Sequence, residues 1–60
     1  MKFFIKLNPT TVDGCFNVVV LEELPSGLYQ EVEIARGLMG TRLLNYIYGV
    51  MRKYHQPLYV

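Results

Sequence analysis

The sequence predicts a small α+β domain, a three-stranded antiparallel meander followed by one amphipathic helix across one face (β-β-β-α). Three observations lead there. Residues 41–54 carry a broad apolar stripe at helical spacing, residues 2–8 alternate apolar and polar side chains, and two tight-turn signals punctuate the chain between them. The sixty residues form one domain, 1–60.

The first strand is residues 2–8, with Phe3, Ile5 and Leu7 on one side and Lys2, Phe4 and Lys6 on the other. Residues 9–14 (PTTVDG) form a turn, because Pro9 cannot continue a ladder and Asp13-Gly14 favours positive φ. Residues 15–24 make the second strand. Their run Val18-Val19-Val20-Leu21 is apolar on both faces, the pattern of a central strand covered on both sides. Pro25-Ser26-Gly27 is the second turn.

Residues 28–36 have two readings. Glu31 and Glu33 alternate with Val32 and Ile34 as in a strand, whereas Leu28, Val32 and Ala35 share a face in a helix. A Pro-Ser-Gly turn between two alternating runs is a hairpin signal and favours the strand. The alternative is β-β-α(-β), with one long helix kinked near Gly37 and Gly40. In the favoured reading those two glycines separate strand from helix, and Thr41 is the N-cap.

At about 100° per residue, Leu43, Leu44, Ile47, Val50, Met51 and Tyr54 of the helix share one arc. Arg42, Asn45, Gly49, Arg52 and Lys53 lie opposite, and Tyr46 and Tyr48 sit at the two borders. Gly49 costs about 1 kcal/mol relative to Ala, so tertiary packing has to hold this helix. The tail carries Pro57 and then Leu58-Tyr59-Val60, enough for a short edge strand or an arm.

Composition narrows the function. Apolar residues are 52% and charged residues 18%, which is apolar for so small a domain. A chain of this size has little stability in reserve and usually recruits a disulfide, a metal or a partner. One cysteine, Cys15, allows no internal disulfide, and Cys15 with His55 is too few ligands for a structural zinc. No cofactor or metal is expected, and a partner chain is. No run is long enough for a membrane span, and the free thiol suits a reducing, cytoplasmic setting.

Catalytic material is sparse. Glu31 and Glu33 read as the solvated face of the sheet, and Cys15 as a small hydrophobe. An enzyme is not expected. Nucleic acid is the alternative: Lys2 and Lys6 flank Phe4, and Arg42, Arg52 and Lys53 line the helix. A net charge of +1 argues against it.

Protein binding has more support. If Phe3, Ile5, Leu7, Val32 and Ile34 face the helix, then Phe4, Tyr29 and half of the 18–21 run face away. The candidate interface is Phe4, Val19, Leu21, Tyr29, Tyr46, Tyr48 and Tyr59, an apolar and aromatic set larger than a lone domain comfortably exposes. The expected partner is a second copy, a homodimer formed through the outer sheet face, or a larger protein. An unpaired edge strand offers a second route, and the tail could instead cover the strip. A Met-initiated chain this short leads us to expect an accessory subunit, regulator or inhibitor, the phage-borne kind included.

Overall fold

The computed structural model describes residues 2–55. Four elements follow one another: β1 (Phe3–Pro9), β2 (Cys15–Glu23), β3 (Tyr29–Met39) and α1 (Gly40–Tyr54). The strands form one antiparallel sheet in the order β1-β2-β3, and the helix packs on one face. The meander and its C-terminal helix are as the sequence predicts. The kinked-helix alternative is excluded, because residues 29–39 are a strand.

Paired residues share a face, so register assigns the two sides of the sheet. Ile5↔Val20 and Leu7↔Val18 lie towards the helix, and Phe4↔Leu21 and Lys6↔Val19 lie away from it. Val18 and Val20 are fully buried beneath Ile47 and Val50, with Phe3, Leu7, Val32, Leu38, Leu43, Tyr46, Met51 and Tyr54 around them. Val19 faces outward, paired with Lys6 on one side and Ile34 on the other, and is only 6% exposed. The central strand of the sequence reading is therefore β2.

β3 departs from simple alternation twice. Val20 pairs with Glu33 but Leu21 pairs with Glu31, so Val32 is an extra residue, a bulge. Glu33 consequently shares the helix side with Val20, while Glu31 shares the outer side with Leu21. The expectation that both glutamates lie on one solvated face is corrected. The same shift of phase turns Ile34 outward, opposite Val19, where it is 46% exposed rather than facing the helix. The second irregularity falls between Phe16↔Leu38 and Val18↔Ala35. There Gly37 takes φ +70°, and its N–H donates to Asn17 Oδ1 at 3.0 Å in place of a ladder bond.

Element ends also differ from expectation. Pro9 belongs to β1, paired with Phe16, instead of opening the turn. The turn itself is tied by Thr10, whose Oγ1 donates to the Cys15 carbonyl at 3.0 Å and accepts from the Val12 N–H at 3.1 Å. β3 runs through Gly37 to Met39, and the chain passes directly into α1 at Gly40, whose φ of +55° makes the corner. The N-cap is Met39, with no side-chain cap bond, so Thr41 is not the cap. α1 ends at Tyr54 and is capped by His55, in the left-handed region, whose N–H bonds the Met51 carbonyl. Leu44, placed in the apolar stripe by spacing, is 53% exposed at its margin.

Ile47→Asp should prevent folding, since it buries an unpaired carboxylate against Val18 and Val20 at a cost of several kcal/mol. Arg42→Ala, on the exposed side, should change stability by less than about 0.5 kcal/mol in thermal melts. Similar small effects from both would refute this packing.

Candidate functional site

Two features concentrate chemistry, one under the helix and one on the sheet's outer face. Under the helix, the Val32 bulge aims the Glu33 carboxylate at α1. Its Oε1 accepts from the Tyr46 hydroxyl at 3.0 Å. Its Oε2 accepts from Lys53 Nζ at 2.6 Å and from the Tyr54 hydroxyl at 2.5 Å. Tyr54 also stacks on Phe3 of β1, ring centroids 4.5 Å apart, and Lys53 lies 5.4 Å from the Tyr54 ring. One carboxylate thus fastens the helix to β3, and Tyr54 carries the contact across to β1.

Electrostatics show what this cluster can do. Hydrogen bonds from Lys53 and then Tyr54 hold the Glu33 carboxyl below its ordinary 4.5, against the opposing effect of burial. Burial, and next the bond to Glu33, pushes the Tyr46 phenol up to about 12. The bond to Glu33 also raises Tyr54 and Lys53. A carboxylate held ionised is a poor base at neutral pH, and phenols held neutral are poor acids. The arrangement is a structural clamp. Lys53 is 62% exposed on its side chain, so its ion pair is worth little beside the two tyrosine bonds.

On the outer face the Phe4 and Tyr29 rings meet edge to face, centroids 5.6 Å apart. Tyr29 is 57% exposed. Val19, Leu21 and Ile34 share that face by register, and no helix of the described residues covers it. Lys2, Lys6 and Glu31 are exposed at the strip's margins. Ile34 is the outer-face residue that sequence reasoning missed. Alternation sends it inward, and nothing in the local composition marks the bulge that reverses it.

The remaining sequence candidates are scattered. Tyr46 is half-buried and bonded to Glu33. Tyr48 is 58% exposed on the flank of α1, where it lines a shallow concavity with Asn45, Met51, Arg52 and His55. Tyr59 lies outside the described residues. Of the basic set, Lys53 is engaged by Glu33, Arg42 and Arg52 are on the helix, and Lys2 and Lys6 belong to the sheet. Cys15 is buried at the start of β2, and His55 is exposed at the end of α1. Among the described residues no group of three or more His, Cys, Asp or Glu could hold a metal, and no helix is long and apolar enough to cross a membrane. Comparison with protein-family models, with curated proteins and with solved structures finds no match in any of the three.

The clamp sets a pH window. The lowered Glu33 value makes its contribution present above pH 4.5 and lost as pH falls through the folded value. The raised Tyr46 and Tyr54 values make theirs present below pH 10.0 and lost as pH climbs. Glu33→Gln should cost about 1–3 kcal/mol at neutral pH and reduce the loss of stability on the acid side. Lys53→Ala should cost less than about 1 kcal/mol. Urea melts from pH 3 to pH 8 check both, and an acid limb unchanged in Glu33→Gln would contradict the clamp.

Proposed function

We propose that this chain is a non-enzymatic protein-interaction module, an accessory subunit or small regulator or inhibitor, that lays the outer face of its sheet on a larger protein. The observation that carries this reading is the strip of Phe4, Tyr29 and Ile34, aromatic and aliphatic surface on the side of the sheet away from α1. Leu21 and Ile34 with charged margins at Lys2, Lys6 and Glu31 have the composition of an interface. Two rigid aromatic rings already in contact lose little side-chain entropy on binding. The polar cluster at Glu33 serves packing, which leaves the sheet face as the feature with functional material. We assign the chain to the cytoplasm, where a free thiol such as Cys15 stays reduced.

Lys2 and Lys6 beside Phe4 favour one second reading, single-stranded nucleic acid on the same face. Glu31 lies on that face too and weakens it.

Tyr29→Lys with Ile34→Lys tests the first reading, because both side chains are largely exposed and the fold does not rest on them. The double variant should melt within a few degrees of the wild type. Affinity capture should recover a protein with the wild type and lose it with the variant. Equal capture by both would sink the outer-face reading. Binding of mixed oligonucleotides in a fluorescence titration at about 0.15 M salt would favour nucleic acid instead.

A further inference from the structure

β1 is an edge strand, and hydrogen bonds at its two ends fix which of its backbone groups are unused. The Glu23 N–H donates to the Lys2 carbonyl at 2.9 Å, and the Thr10 N–H donates to the Cys15 carbonyl at 3.1 Å. In an antiparallel pair, residues that exchange such bonds alternate with residues that do not. The register from Phe3↔Glu22 to Pro9↔Phe16 is unbroken, so the even-numbered residues bond to β2 along the whole strand. Phe3, Ile5 and Leu7 therefore aim N–H and C=O away from the sheet. Pro9 is in the same phase, so its missing N–H costs no bond to β2. Among the described residues nothing pairs with this edge.

The opposite edge is blunted. β3 carries the Val32 bulge and the irregularity at Gly37, devices that discourage strand addition. β1 has neither.

We propose that β1 pairs antiparallel with β1 of a second copy, about a twofold axis at Ile5, joining two sheets into one. Phe3 then exchanges backbone bonds with Leu7 of the second copy, and Ile5 with its own mate. Charge disfavours the two adjacent registers. An axis at Phe4 would set Lys2 opposite Lys6, and an axis at Lys6 would set the two Lys6 side chains opposite each other. Like charges directly opposed on a sheet are destabilising. An axis at Leu7 would place Pro9, without an N–H, opposite Ile5. With the axis at Ile5, each Lys6 faces Phe4 of the other copy, a cation over an aromatic ring, and Lys2 faces Asn8.

The helix side of the sheet points to the same partner. Tyr46 and Tyr48 mark opposite borders of α1, and Tyr46 reaches towards β3 to bond Glu33. At the other border Leu44 and Tyr48 are 53% and 58% exposed, and on the helix side of β1 Phe3 and Leu7 remain half-buried. Pairing two β1 strands extends the sheet past its β1 edge. It sets Phe3 of each copy beside Leu7 of the other, between the two helices.

Sedimentation and amide hydrogen exchange on the full chain test this without any substitution. We expect twice the 7.0 kDa chain mass and a melting temperature that rises with concentration. The Phe3, Ile5 and Leu7 amides should exchange as slowly as those of β2. A dimer in which these three amides exchange freely would be held by another surface and would overturn the proposal. So would a monomer, and a monomer with the same amides protected would assign the edge to residues 56–60. Register is tested by oxidising a mixture of Phe4→Cys and Lys6→Cys chains, each also carrying Cys15→Ser. Directly opposed positions lie about 4.5–5.5 Å apart and diagonal ones about 7–8 Å, so only the mixed disulfide should form. Disulfides within either chain population alone would rule out the axis at Ile5.

Discussion

The Val32 bulge sets which side chains of β3 face the helix and which face away from it. It adds one residue to β3 opposite the Val20–Leu21 step, and by doing so it sends Glu33 and Glu31 to opposite sides of the sheet. Glu33 becomes the partly buried carboxylate that Tyr46, Lys53 and Tyr54 converge on, and the helix is drawn towards β3. What the helix does not cover then follows. The outer face carries Tyr29 and Ile34, and the border of the helix opposite Tyr46 carries Leu44 and Tyr48, all exposed.

Energetics explain why such a clamp is useful here. Among the described residues the fully buried side chains are two valines, Val18 and Val20, and the core cluster adds Ile5, Ile47 and Val50. Burial on that scale barely exceeds the chain entropy it must overcome. Hydrogen bonds to a charged group contribute more than neutral ones when partly shielded, roughly 1.5–3 kcal/mol against about 1. Glu33 supplies such bonds where the core is thin. Covering the exposed apolar margin with a second chain would add burial at the other border of the helix.

Elements with a regular period were legible in the sequence. The apolar spacing of α1 placed Ile47 and Val50 in the core, the alternation of β1 separated Phe3 and Ile5 from Phe4, and Asp13-Gly14 and Pro25-Ser26-Gly27 marked both hairpins. Phe4 and Tyr29 were placed on one face from alternation, and their rings meet there. Legibility ended where period two is broken. A bulge has no residue signature at Val32, so alternation carried Ile34 to the wrong face and left Glu33 in solvent. Gly37 and Gly40 were read together as separating strand from helix. One is an irregular point inside β3 and the other the corner into α1, both with positive φ. Thr41 resembles a cap by type, but the strand continues to Met39 and takes that position itself.

The side-chain carboxyl carbon of Glu33 reports whether the carboxylate sits beneath the helix. An NMR pH titration of that carbon in the intact protein should give a midpoint below 4.5, because Lys53 and Tyr54 stabilise the ionised form. The same titration in Tyr54→Phe should move the midpoint upward. A wild-type midpoint at or above 4.5, unmoved by Tyr54→Phe, would mean that Glu33 lies in solvent beside Glu31 and that the bulge does not turn it beneath the helix.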